Sequence, residues 1–451
     1  MTITYTVGTL TEGEVVTALD AALARAKPAI RWGLGHALPR TVLRREARRG
    51  DLQGRMVVAA ADGRDLTGLF EEIRTAGPLA RTRFGWMTTT HAAVREVLAG
   101  EDFRVGVIGS DGSPLGRLVE WSAGEHLHPV RPPSLLAVNP PEHTRYRKLV
   151  TGVFTVRAVE QLRGRVQEIA DGLLDALDPG RPLDLVESYC GLLPVTVISE
   201  ILGVPPSDLG KVLSLGAAAA PSLDLGLGWR TFRDVETALG EFNAWLGEHL
   251  DHLRRHPGKD LFSKLVAARD GGVGLTETEL KSTAGLVLAA GFETTVNLLG
   301  SGIALLAGQP GQLAVLRERP ELWGNAVEEV LRYDPPVLLT GRLATRATEV
   351  AGVPLPRGAL VTTVLAGANR DPSVFADPGT FDVTREGARD HVSFGAGRHH
   401  CLGASLARME GEIGLRTIFD RFPGLRVLPG GRRRRTRILR GYESLPAVLA
   451  S

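Results

Sequence analysis

Cysteine occurs only twice in the 451 residues, at Cys190 and Cys401, so neither a disulfide framework nor a CxxC metal or redox motif is available. Such sparse thiols suit a reducing cytoplasm, and the open question is whether either one does chemistry. Aromatic residues make up only 5% of the chain, and neither charge sign dominates: 53 Lys and Arg against 51 Asp and Glu leave a net charge of +2. That balance provides no bulk basic field for nucleic acid. No GxGxxG follows a strand-like run and no GxxxxGK[ST] occurs, so no nicotinamide, flavin or nucleotide domain is expected. Residues 1–30 hold no basic segment followed by an unbroken apolar run, because Glu12, Glu14, Asp20, Arg25 and Lys27 interrupt it; no signal peptide is expected.

What is present is ordinary globular material, 43% hydrophobic and 23% charged, which excludes a disordered or collagenous chain. Thr11 and Glu14 make a capping-box pattern ahead of Val15, Val16, Leu19, Ala22, Leu23 and Ala26, predicting an extra amphipathic helix. One stretch, 284–306, is long and apolar enough to span a bilayer. Its TxxE start at Thr276 and Glu279, and the polar Glu293, Thr294, Thr295 and Asn297 near its middle, predict instead a long helix buried in protein. No transmembrane anchor is expected.

Periodicity and breakers predict helices over 67–76, 89–99, 140–176, 183–203, 229–255, 276–308, 310–334 and 402–421. Short β-like pieces fall around 58–60, 80–88, 342–365 and 425–449. The Gly-, Pro- and Ser-rich regions 104–138 and 214–228 are expected to be mobile loops over a pocket. No 20–50-residue repeat and no long polar linker appears. The expected organisation is an N-terminal extension over 1–50, without assigned role, and a single domain over 51–451, mainly α with small β-sheets.

Residues 391–408 read HVSFGAGRHHCLGASLAR. Gly395 and Gly397 permit a tight turn and close backbone approach to a flat ligand, and Gly403 keeps the following helix surface small. Cys401 falls at the start of a helix, where free N–H groups and the dipole favour a thiolate. A thiolate on such a loop can serve as an axial ligand for haem iron. Cys190, among Leu185, Val186 and Leu193, reads as core packing.

The loop matches FGxGxHxC followed by glycine and resembles the cytochrome P-450 family of haem-thiolate monooxygenases. Similarity extends to AGFETT, from Ala290 to Thr295, in the buried helix. The resemblance implies haem b held between that helix and the cysteine loop, with Cys401 on the iron and Phe394, Gly395 and Gly403 against the cofactor. Ala290 and Gly291 would leave room for macrocycle and dioxygen and let the helix bulge. Glu293 and Thr294 resemble the family's acid–alcohol pair, whose hydroxyl and carboxylate deliver protons.

In NPPEHTRYRK, His143 and Arg147 are i and i+4 and can converge on one anion, while Arg145 and Lys148 turn elsewhere into solvent. The resemblance makes His143, Arg147, Arg342 and His399 the propionate ligands. It makes Glu329 and Arg332, joined by Arg385, an ion-pair network supporting the core. Ala290 with Val337, Leu338, Leu339 and Thr340 would line the substrate chamber, and few aromatics beside many Leu, Val and Ala suggest an aliphatic, lipophilic substrate. Electrons would come from a ferredoxin and its reductase, docking where Arg145, Arg398 and Arg408 could form a positive patch. The run 432–435 with Arg437 reads as the solvated face of a C-terminal hairpin. The alternatives are a peroxide-driven or isomerising haem-thiolate enzyme, or a haem-binding sensor or carrier without turnover.

Overall fold

The computed structural model describes residues 26–106, 114–124, 126–152, 154–258, 260–268 and 274–450; the amphipathic helix expected after Thr11 lies outside them. The described chain is mainly helical with small β-sheets, as expected.

The organising element is the helix Glu277–Ala307, 31 residues long. It starts as the sequence predicts. The Thr276 hydroxyl accepts from the Glu279 amide at 3.3 Å, and the Glu279 carboxylate accepts from the Thr276 amide at 2.8 Å. This helix is long and apolar enough to cross a membrane, yet it is buried along most of its length. Helices Leu192–Ile201, Trp229–Arg255, Trp323–Tyr333 and Ala404–Arg421 pack around it. Leu298, Leu299 and Ile303 therefore sit in the main core with Leu193, Leu415 and Ile418. The approach of helix Ala404–Arg421 depends on absent side chains: a Cβ on Gly302 would fall 2.7 Å from Leu415, and one on Gly414 2.7 Å from Leu299.

A five-stranded sheet forms from β1 (Ala80–Thr82), β2 (Gly85–Thr88), β3 (Phe103–Arg104), β4 (Thr340–Ala344) and β5 (Leu360–Thr363), in the order β1-β2-β5-β4-β3. Only β2 and β5 run parallel. The register sets Arg342 opposite Val361.

Several boundaries differ from the periodicity. Residues 58–60 lie in a helix, Leu52–Ala61, started by the Asp51 side chain accepting from the Gly54 amide at 2.8 Å. A short apolar run fits either structure, and the cap decides it. The stretch 140–176 divides into Glu142–Thr151, Val156–Glu160 and Arg163–Asp175, with Thr155 capping the second. The expected loop 214–228 is largely helical, Leu209–Ala219 and Ala220–Leu223, because its alanines favour helix despite the flanking glycines. Within 104–138, Pro114–Trp121 is also helical. Cys401 precedes its helix, which begins at Ala404, so it stands on the loop rather than in the first turn.

Two adjacent buried carboxylates on helix Trp323–Tyr333 fasten the following chain. Glu329 and Arg332 are fully buried and pair at 2.7 and 2.8 Å; Arg385 reaches Glu329 at 3.2 Å. Arg332 also donates to the carbonyls of Asn369, Pro378 and Thr380, and the Asp382 amide donates to Glu329. The network expected for Glu329, Arg332 and Arg385 is present. Glu328, unremarked in the sequence, binds Arg389, His391 and Arg408 at 2.9, 3.1 and 2.8 Å, and so anchors both ends of the cysteine loop.

Burial alone would raise the Glu328 carboxyl, but its bonds to His391 and Arg408 more than reverse this and hold it at about 2. Asp334 is likewise brought to about 2, against its own burial, by Arg433, Arg440 and Ser301. Both groups bind protons less readily folded than unfolded. Their stabilisation is complete above the ordinary carboxylate range, near pH 4.5, and is lost as pH falls toward 2. Each contributes on the order of 2–3 kcal/mol at about 1.4 kcal/mol per tenfold change in proton affinity. Urea midpoints should therefore fall steeply between pH 4.5 and pH 3; a flat profile there would contradict these pairings.

Candidate active site

The cysteine loop is shaped by its glycines. Gly395 and Gly397 have φ of +71° and +68°, and a Cβ on Gly397 would lie 2.6 Å from the Leu98 carbonyl. Gly403, at φ −86° with open space about its α-carbon, has no such requirement. The Cys401 amide donates to the Phe394 carbonyl at 2.8 Å, closing the loop, and Arg408 stacks 4.5 Å from the Phe394 ring. Cys401 is accessible to solvent, yet protein surrounds it on most sides. Burial raises its thiol, while the Gly403 amide and the guanidinium groups of Arg147 and Arg408 pull in the opposite direction. The net upward direction runs against the low thiol expected from a helix start. Cys190 is fully buried, its thiol pushed far up by burial, as packing requires.

Beside this thiol the fold gathers histidines and arginines that, among the described residues, have no carboxylate paired to them. The His143 and His399 rings lie 4.1 Å apart, and neither Nε2 has a hydrogen-bond partner although both are buried. Arg147 donates to the His400 carbonyl at 2.7 Å. Arg342, buried, donates only to the Thr340 hydroxyl and Gly341 carbonyl of its own strand. Burial and the adjacent Arg398 lower the Arg342 guanidinium to about 10. Burial first, then the neighbouring charges, lowers His143 to about 4 and His399 to about 3. His143, Arg147, Arg342 and His399 thus converge, from three separate segments, and Arg398 joins them.

The two other arginines of the expected docking patch are engaged internally. Arg145 pairs with Glu279, which also accepts from the Tyr146 hydroxyl, rather than pointing into solvent. Arg408 is committed to Glu328. The positive patch expected from Arg145, Arg398 and Arg408 is therefore not a set of free surface cations.

In the middle of the central helix, Gly285, Leu286, Ala289, Ala290, Gly291 and Thr294 keep partial exposure while the residues between them are buried. The three residues after Phe292 point in three directions, about 100° apart. The hydroxyl of the partly exposed Thr294 donates to the Ala290 carbonyl at 2.9 Å. Thr295 faces helix Ala404–Arg421, where Glu410 is fully buried and held protonated by burial, with only Thr295 opposing it. Glu293 is buried and faces the C-terminal hairpin, its Oε1 3.1 Å from Arg434 but off the bonding direction, leaving both oxygens without a hydrogen bond. Burial raises the Glu293 carboxyl, with Arg434 and Asn297 pulling it back.

Of the C-terminal run, Arg432 and Arg435 are exposed as expected of a solvated face, but the other arginines are engaged internally. Arg433 and Arg440 pair with Asp334, Arg434 with Glu293 and Arg437 with Asp224, each carboxylate buried. Gly291 keeps partial exposure, and its missing Cβ would lie 3.3 Å from the Ile198 side chain. The helix is continuous α through this region, without the bulge expected there. Leu338 is fully buried against Met56 and Ile73, so it does not line a chamber; Val337, Leu339 and Thr340 retain partial exposure.

An apolar pocket lies against the partly exposed middle of the central helix. Leu127, Pro129, Leu223, Phe242, Leu286 and Ala289 give it an apolar wall.

Helical layers around one buried central rod, with an accessible thiol on a glycine loop beside histidines and arginines without carboxylate partners among the described residues, define a protein built to hold an anionic, flat group against that thiol. Comparison with known proteins agrees. The sequence profile described as Cytochrome P450 matches residues 317–435. Cytochrome P450 140 of Mycobacterium tuberculosis is 50% identical over 429 residues, 94% of this chain and 98% of that protein. The 6-deoxyerythronolide B hydroxylase of Saccharopolyspora erythraea is 37% identical, over 84% of this chain and 95% of its own. The ligand-free crystal structure of Mycobacterium smegmatis CYP164A2 superposes with a TM-score of 0.78 at 33% identity, covering 88% of this chain and 99% of that one. The chain belongs to the cytochrome P450 family, and it is a monooxygenase.

The family carries haem with thiolate ligation. The residues present fit that group: its two carboxylates need cations lacking carboxylate partners, and the orphaned His143 and His399 nitrogens supply donors of the right kind.

Proposed function

We propose that the chain holds haem b with Cys401 as axial ligand and inserts one atom of dioxygen into a lipophilic small molecule. The observation that carries this reading is the convergence beside Cys401 of His143, Arg147, Arg342 and His399, with no carboxylate paired to them among the described residues. These four would hold the propionates, with Phe394, Gly395 and Gly403 against the macrocycle. Haem so held supplies dioxygen activation by virtue of its thiolate ligand.

The protein's own part is to manage protons and exclude water. Thr294, partly exposed, carries a hydroxyl that can turn from the Ala290 carbonyl toward the chamber and hold a proton at Oγ1. Glu293, one residue away and without a completed hydrogen bond, can exchange a proton through its carboxyl. Ala290 and the partly exposed Val337, Leu339 and Thr340 would border the substrate, and the apolar cavity wall supports a lipophilic one. Electrons would come from a separate ferredoxin and its reductase in the cytoplasm. We read 51–451 as one catalytic domain and 1–50 as an extension to it.

Reduced protein exposed to carbon monoxide should show the strongly red-shifted Soret band of thiolate ligation; a histidine-type band would overturn the reading. The acid–alcohol pair favours a dioxygen-using enzyme over a peroxide-driven one or a non-catalytic haem carrier. Accordingly, Thr294→Ala should divert most of the oxygen consumed away from product. Oxygen uptake and product formation measured together check this, and unchanged coupling would remove Thr294 from the mechanism.

A further inference from the structure

The first described residues, 26–48, form a helix that packs on the rest of the chain, interrupted by a π-helical turn at Gly33–Ala37. Such turns recur where a helix must present side chains out of step. Here the turn adjoins Trp32 and contains His36. The Trp32 indole N–H donates to the Leu227 carbonyl at 3.0 Å, while the Leu227 amide donates to His36 Nδ1 at 3.3 Å. One residue of the 219–229 segment is thus gripped at both its backbone polar groups. Trp32 meets Trp229 edge-on at 5.5 Å, and His36 meets Phe232 at 5.4 Å. Arg31 pairs with Glu236 at 2.9 Å, and Arg40 packs on Gly226.

The same helix also reaches a second segment. Lys27 lies 5.2 Å from the Trp121 ring, and the Arg31 guanidinium lies against Gly124. These two gripped segments continue directly into the walls of the apolar cavity: Leu127, His128 and Pro129 on one side, Ala219, Ala220, Ser222 and Leu223 on the other. Residues 26–40 do not themselves line the cavity. Inside, helix Trp229–Arg255 already links the two walls, Asn243 donating to the Leu127 carbonyl at 3.2 Å; residues 26–40 add a second tie from outside.

We propose that residues 26–40 are a strap that holds together the two segments roofing the substrate cavity and so sets the rate of ligand passage. The proposal rests on reading that cavity as part of the substrate chamber. The strap acts by stabilising the closed arrangement, without touching the ligand. Loosening it should therefore speed entry and exit together, leaving affinity nearly unchanged.

The test uses the haem-loaded full chain carrying Arg31→Gln with Trp32→Ala, and separately His36→Ala, which removes the acceptor for the Leu227 amide and the ring against Phe232. Hydrogen exchange should rise in 119–131 and 219–230 while helix Trp323–Tyr333 stays protected, showing that the fold persists. Binding of 4-phenylimidazole, followed by stopped-flow Soret shift, should show association and dissociation rates each raised by about tenfold in the double variant. That size corresponds to losing one buried hydrogen bond and one aromatic pair from the closed state. The dissociation constant should change by less than about threefold. Unchanged exchange in both segments would overturn the strap, and so would faster exchange with unchanged binding rates. Failure of 4-phenylimidazole to shift the Soret band of the wild-type protein would count against the haem-thiolate reading instead.

Discussion

Replacing Glu329 by alanine is expected to lower the free energy of unfolding by about 3–5 kcal/mol, the cost of leaving a buried charge without its partner. Arg332 has no exposed surface and takes two of its bonds from this carboxylate. Its remaining donors fix the carbonyls of Asn369, Pro378 and Thr380, so the segment leading to the cysteine loop loosens with it. Haem retention should fall in parallel with stability. Urea denaturation of wild type and E329A, followed together with haem retention, measures this loss. A loss below about 1 kcal/mol in E329A would mean that solvent reaches Arg332.

The Cys401→Ser protein is expected to stay folded while losing monooxygenation down to background. Its side chain is exposed rather than in the core, and the bond that shapes the loop comes from the Cys401 backbone amide, which serine keeps. The reduced carbon monoxide complex should lose its strongly red-shifted Soret band, while the thermal midpoint stays within a few degrees of wild type. Cys190→Ala should behave oppositely. It opens a small space in the core and costs about 1 kcal/mol, with the band unchanged. Retention of the red-shifted band in Cys401→Ser would transfer the ligand role elsewhere.

Much of this protein is legible locally. The capping box at Thr276 and Glu279, helix Trp229–Arg255 and the positive-φ glycines of the cysteine loop follow from short-range rules about donors and backbone sterics. Legibility fails where a side chain's partner lies far along the chain. The arginine run at 432–435 reads as solvated because the apolar Leu428, Ile438, Leu439 and Leu445 around it suggest the other face of a hairpin. In space, Arg433 and Arg434 meet Asp334 and Glu293, roughly 100 and 140 residues earlier. Arg145 and Arg408 misled for the same reason, and Glu328 went unnoticed beside its better-known neighbour.

By itself the sequence determined which residue types are available for chemistry: one loop thiol, one acid–alcohol pair, one set of histidines and arginines, and a helix able to be buried. Only the tertiary structure decided which of them are uncompensated. Desolvation and pairing depend on what the fold brings within a few ångströms, so His143 and His399 became orphaned donors while most of the C-terminal arginines were neutralised. The same folding placed helix 26–48, which sequence could only mark as an extension, across the two walls of the cavity.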